Sequence, residues 1–207
     1  MITEKQQQSE LEAVEVTGVT RQAFILRGAL AAGVVLGSTA VGPFVSSALA
    51  TSDMSDADIL NFALTLEYLE ADFYRTGLHY LKGEAHTYGK LLGDQEAEHV
   101  KVLTATIKKL GGKPVASPKF SFGVTDQASF LKLAQTLEDT GVSAYNGAAP
   151  MIKSKAILAA AGSIVQIEAR HAATIRLLRD QEPAPHQFDP SLTESQVLAA
   201  VKPLIKS

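Results

Sequence analysis

Two tetrads in this chain, Glu96-Ala97-Glu98-His99 and Glu168-Ala169-Arg170-His171, each set a glutamate and a histidine three residues apart. On a helix that spacing puts both side chains on one face, about one turn apart, where they can reach the same metal cluster. Two further glutamates have a tyrosine seven residues on: Glu67 with Tyr74, and Glu138 with Tyr145. Seven residues is close to two helical turns, so each tyrosine shares a face with its glutamate. The chain has no cysteine, which removes thiolate zinc sites, iron–sulfur clusters, disulfides and cysteine nucleophiles together. A metal must then be held by carboxylate and imidazole, a ligand set that suits iron or manganese, with zinc allowed on ligand type.

The four signals form a repeat. Glu67 lies 29 residues before Glu96, and Glu138 lies 30 before Glu168; Glu67 and Glu138 are 71 apart, Glu96 and Glu168 72. The chain reads as two copies of one helical hairpin, each offering Glu, Tyr and then Glu-x-x-His. A lone Glu-x-x-His usually marks a solvated helix face, but here both fall at matching points of a duplicated unit. Four ionised glutamates buried together would cost far too much unless paired. Two divalent cations bring the four positive charges that balance them. Two glutamates can then bridge the ions, the other two can cap one ion each, and each histidine fills one further position. Open coordination positions remain for dioxygen or peroxide.

Tyr74 and Tyr145 are the candidate catalytic residues, because a core hydroxyl can orient a bridging carboxylate or take part in redox steps. Glu70, one turn after Glu67, can supplement or replace it as a ligand. Glu67 is preferred because the repeat matches it to Glu138, whereas Glu70 matches Gly141. Glu98 is expected in solvent, as are His79, His86 and His186. Arg170 is expected to pair with a carboxylate or face water.

Four long helices and a short fifth must position these groups. Ser55 or Asp56 can cap the first, which runs to about residue 81. The second spans about 86–110 and is closed by Gly111-Gly112. Asp126 caps the third, ended by Pro150; the fourth covers about 154–179, stopped by Pro183 and Pro185; Thr193 caps a short helix over 194–201. No segment alternates with period two, so no sheet is expected. Short links make the first and second helices, and the third and fourth, antiparallel neighbours. The middle link is longer. A 24-residue helix is roughly 36 Å long, and the extended link over residues 113–125 reaches roughly 43 Å. It can run the length of the bundle as one long crossover.

Residues 1–50 differ in kind. A polar leader carries Glu4, Glu10, Glu12 and Glu15; Arg21 and Arg27 follow, then an apolar run over 29–45 and Ala48-Leu49-Ala50. Positive flank, apolar stretch and Ala-x-Ala site are the parts of a secretory signal, with cleavage expected after Ala50. The segment from Thr20 to Leu26 resembles a twin-arginine signal, with Gln22 where the second arginine would stand. The alternative is an uncleaved membrane anchor, since 28–50 is just long enough to span. Either way residues 51–207 form the folded domain, expected outside the cytoplasm, in the periplasm or otherwise exported. That part keeps 16 of the 19 basic and 18 of the 22 acidic residues. So balanced a charge gives no case for nucleic acid. Oligomerisation is left open.

Glu with Tyr seven later, then Glu-x-x-His, repeated over four helices, resembles the ferritin-like superfamily of di-iron carboxylate proteins. The first helix, Asp58-Ile59-Leu60-Asn61-Phe62-Ala63-Leu64-Thr65-Leu66-Glu67-Tyr68-Leu69-Glu70-Ala71-Asp72-Phe73-Tyr74, is similar more narrowly to the desiccation-related ferritin-like family. The resemblance covers about residues 56–207, including the tail around Phe188-Asp189-Pro190. It implies an all-α, ferritin-like four-helix bundle with two metal ions held by Glu67, Glu96, His99, Glu138, Glu168 and His171. It implies no particular reaction. Ferroxidase or catalase-like chemistry on oxygen or peroxide is one expectation; a non-enzymatic protein of desiccation or envelope stress, stapled by its metal, is the other.

Overall fold

A computed structural model describes residues 54–206; the export segment expected over residues 1–50 lies outside them. Among these residues five α-helices carry the fold: α1 (Asp56–Gly77), α2 (Gly83–Lys109), α3 (Gln127–Ala148), α4 (Lys155–Leu177) and the short α5 (Glu194–Val201). Their starts are fixed by local chemistry. Ser55 accepts from the Asp58 N–H while the Asp58 side chain accepts from Ser55, a reciprocal box that satisfies two otherwise orphaned donors. Asp126 with Ser129 and Thr193 with Gln196 repeat the arrangement, and Ser154 caps α4. The first helix stops four residues short of the expected end, in a single tight turn over Leu78–Tyr80.

The crossover is visible in its contacts. Near its start, the Asn61 side chain on α1 donates to the Lys113 carbonyl and accepts from the Val115 N–H. Further on, Phe122 packs edge-on against Phe73, 5.1 Å between ring centres. At its end Gln127 accepts from the Lys82 N–H, beside the start of α2. The link therefore climbs along α1 and returns the chain to the end where α2 began. One element departs from the expectation of no sheet. Lys119–Phe120 (β1) pairs antiparallel with Ile205–Lys206 (β2), Lys119 opposite Lys206. Two residues are too short to show an alternating pattern, so the ladder had no sequence signal.

Apolar residues gather in two clusters. One is built around Phe73, Phe130, Leu137, Ile175 and Val197, with Phe73 and Phe130 stacked 4.2 Å apart. The other holds Leu60, Leu64, Leu103, Ile107, Ile157 and Ile164. In each long helix the candidate ligands fall in sequence between the residues that feed these two clusters. The tail clasps α3: the Leu192 N–H donates to the Ser143 carbonyl, and Asn146 donates to the Pro190 carbonyl. No helix among the described residues is long and apolar enough to cross a membrane.

Candidate metal centre

Four helices each turn acid into the core. α1 brings Glu67, α2 Glu96, α3 Glu138 and α4 Glu168, and all four are 0% exposed. His171 is buried too, and the His99 side chain is only 12% exposed. Helical period explains the placement. Glu96 and His99 follow Leu92 on the buried stripe of α2, and Glu168 with His171 continues the stripe of Ile157, Ala161 and Ile164 on α4.

The six residues form two overlapping groups. Glu67, Glu96, His99 and Glu168 make one, and Glu96, Glu138, Glu168 and His171 the other; within each, one donor atom per residue lies within 4.8 Å of every other. His99 Nδ1 is 3.1 Å from Glu67 Oε2, 3.1 Å from Glu96 Oε2 and 3.0 Å from Glu168 Oε1. His171 Nδ1 is 2.6 Å from Glu96 Oε1 and 3.4 Å from Glu138 Oε2. Glu96 and Glu168 thus turn one oxygen toward each histidine and belong to both groups. They are the residues placed to bridge, while Glu67 and Glu138 each serve one group.

The fit to metal can be tested on the donors themselves. Glu96 Oε1, Glu138 Oε2, both Glu168 oxygens and His171 Nδ1 are buried without an aligned hydrogen-bond partner. Buried polar atoms are almost always satisfied, and five orphans facing one another are what a pair of cations would satisfy. Carboxylate and imidazole are also donors that iron or manganese accepts.

Each tyrosine hydroxyl braces a carboxylate of the centre. The Tyr74 hydroxyl of α1 donates to Glu138 Oε1 on α3, and that of Tyr145 on α3 donates to Glu67 Oε1 on α1, each over 2.5 Å. They hold the single-group carboxylates rather than the bridging ones, and each reaches across to the other hairpin. Burial first, then the neighbouring charge of Glu138 or Glu67, pushes both phenols well above their usual range. They stay protonated and donate.

Without a metal, protons on the buried carboxyls and charge on the histidines relieve the repulsion among the acids. Burial pushes Glu67 up to about 7 and Glu168 well above the usual range, and it raises Glu138 too. At Glu96 burial acts the same way, but the pull of His171 and His99 outweighs it and holds this carboxyl down at about 2. Burial opposes charge on the histidines as well. Surrounding carboxylates win, Glu168 first for His99 and Glu138 first for His171, raising them to about 12 and about 10.

Three supporting contacts escaped the sequence. His171 Nε2 lies 2.7 Å from Gln95 Oε1, so the amide oxygen accepts from the Nε2–H and the ring is held with Nδ1 facing the carboxylates. Arg176 on α4 pairs with Asp139 on α3 at 2.6 Å, and Arg179 with Gln135. No spacing rule connects residues 76 or 37 positions apart. The expected bystanders are where they should be: Glu98 is exposed and pairs with Lys101, and His79, His86, Arg170 and His186 are exposed.

Fold and site together define a class: a four-helix bundle whose core carries a carboxylate–histidine group suited to metal. The chain belongs to the ferritin-like domain family, whose match covers residues 55–181. It is similar to Protein rds1 of Schizosaccharomyces pombe, 26% identical over 148 residues, which are 72% of this chain and 35% of that protein. The chain therefore spans about a third of that relative's length. Among solved structures, a conserved hypothetical protein of Mycobacterium tuberculosis, Rv2844, superposes with a TM-score of 0.57 at 15% identity, covering 64% of this chain and 96% of that one. That likeness concerns the fold. A Thermotoga maritima protein described as ferritin-like and diiron-carboxylate gives a TM-score of 0.49 at 18% identity, over 61% and 95% of the two chains.

Proposed function

We propose that this is an exported protein that binds two divalent ions, iron first and manganese as the alternative, and uses them on oxygen or peroxide as a ferroxidase or peroxide-consuming enzyme in stress protection. The observation that carries the reading is the convergence of five orphaned buried donor atoms in two groups sharing Glu96 and Glu168. Ions held there would supply Lewis acidity and, as iron, electrons for reducing a small oxidant. The protein's own part is positional. Glu67 with His99 and Glu138 with His171 would each complete one ion position, and Tyr145 and Tyr74 would fix the two single-group carboxylates. Ligands this deeply buried suit an oxidant of two or a few atoms rather than a bulky substrate. Export rests on the Arg21, Arg27, apolar-run and Ala-x-Ala pattern, and membrane attachment follows only if that segment is retained.

A structural role is the second reading, favoured by the same crowding. Buried glutamates that repel one another without a cation make metal a staple for the bundle. One experiment separates the readings. Purify the domain, reconstitute it anaerobically, measure iron and manganese per chain, then add ferrous iron with oxygen or peroxide. About two ions per chain with turnover supports the enzyme; two without turnover leaves the staple. Fewer than about one ion per chain overturns both.

A further inference from the structure

The core holds a fifth carboxylate that the two metal groups do not use. Glu70 is 2% exposed, among the most buried polar residues of the bundle, and it is a member of neither group. It sits one turn after Glu67 on α1, yet its side chain does not stay with Glu67. Its carboxylate lies against Gly141 of α3: a Cβ on that glycine would come 3.1 Å from Glu70 Oε1, 3.7 Å from Glu70 Oε2 and 3.5 Å from Glu168 Oε2. Glu168 Oε2 is the oxygen turned toward His171, while Oε1 is turned toward His99. The charges that act most on Glu70, after burial, are those of Glu168 and then Glu138, with Glu67 last of the four.

The duplicated hairpin makes the meaning of this placement plain. Glu67 and Glu138 correspond across the repeat, and three residues on, Glu70 corresponds to Gly141. One half carries an acid there and the other carries the space for it, and the two differences face each other. The six ligand candidates and the tyrosines are matched between halves: glutamate with glutamate, histidine with histidine, crossed tyrosine with crossed tyrosine. Glu70 and Gly141 break that symmetry in favour of one position.

Resting on the two-ion reading above, we propose that Glu70 is a seventh ligating residue that belongs to the Glu138/His171 position and makes the two ion positions unequal. The Glu138/His171 position then has a carboxylate more than its counterpart, holds its ion more tightly and fills first. Glu70 crosses from its own helix to serve the ligands of α3 and α4, and Gly141 leaves its carboxylate room, since a Cβ there would force it to shift by a few tenths of an ångström.

The test is a titration of the metal-free domain with Mn²⁺ alone, followed by calorimetry, with anomalous scattering from crystals given less than one equivalent. The wild type should bind in two resolved steps, and the first ion should appear beside His171. Glu70→Gln should weaken the first step by about ten- to a hundredfold, toward the second, and leave the second within a few-fold. Gly141→Ala should act in the same direction by displacing Glu70, and it retains every ligand. Two equal steps in the wild type, a first ion beside His99, or unequal steps that neither variant alters would overturn the proposal while leaving the two-ion reading intact. Failure of the wild type to bind Mn²⁺ at all would overturn both. Circular dichroism confirms that each variant is folded; removing a buried acid should not hinder folding of the metal-free chain.

Discussion

Stripping the protein of divalent ions and raising the pH from about 5 to about 8 should make it easier to unfold. The sign follows from Glu67, whose carboxyl is pushed from 4.5 to about 7 by burial. A carboxyl raised in the folded state stabilises the fold while protonated, so its contribution is complete below about 4.5 and is lost as pH climbs to 7. The displacement is worth roughly 3 kcal/mol. The same burial raises Glu138, Glu168 and Glu70, which push in the same direction. His99 and His171, raised to about 12 and about 10, contribute fully below about 6.5 and lose their contribution only above it, so they do not reverse the trend. Glu96, held down at about 2, acts oppositely but only as pH falls below its ordinary value, outside this window. For a domain of this size, 3 kcal/mol corresponds to a fall in melting temperature of about 6–12 °C. With ions bound, the ligands must shed their protons, so affinity and stability should instead rise with pH over the same interval. Thermal melts by circular dichroism, with chelator and with Mn²⁺, would show two curves of opposite slope. A metal-free melting temperature that is flat or rises between pH 5 and 8 would refute the assignment of these carboxylates to one crowded core.

Four variants probe the shared ligands, a single-group ligand, the tyrosine brace and the tail. Glu96→Ala with Glu168→Ala removes both shared carboxylates and should abolish binding of both ions, whereas Glu67→Ala should cost one; metal analysis of dialysed protein decides, and full retention in the double variant would show the ligands misassigned. Tyr145→Phe frees Glu67 without removing it, and should keep the metal count while weakening affinity about tenfold, read by competition with a chromogenic chelator. Gly147→Ala puts a Cβ 1.9 Å from the Leu192 carbonyl oxygen, so the tail must lift; the expected cost is about 1–3 kcal/mol, with faster proteolytic loss of residues after 182 and no change in metal count.

Much of this architecture was legible because it is periodic. Capping residues, glycine and proline stops and the 3.6-residue apolar stripe set the helices to within a few positions, and duplication identified which glutamates belong together. What stayed hidden is what periodicity cannot encode. A spacing of seven tells which face Tyr74 occupies, but not that it bonds Glu138 across the bundle rather than its own helix partner. Gln95 beside Glu96 reads as an ordinary polar residue until α4 brings His171 against it. Glu70 was placed beside Glu67 by its helix, whereas its side chain is drawn to the gap at Gly141, a vacancy that exists only once α1 and α3 are packed. Lys119 and Ile205 pair over two residues, below the length at which any strand pattern can appear.

The crossed tyrosine bonds have a consequence for how the molecule comes into being. Neither hairpin holds a complete ion position: each group borrows one shared glutamate from the other hairpin, and each single-group glutamate is oriented by a tyrosine that the other supplies. A half-made chain ending after α2 would carry Glu67, Glu96 and His99 yet lack both Glu168 and the Tyr145 brace. On the two-ion reading, metal capture would be a late event that waits for the last long helix, and a bound ion would certify that the two halves have met in register.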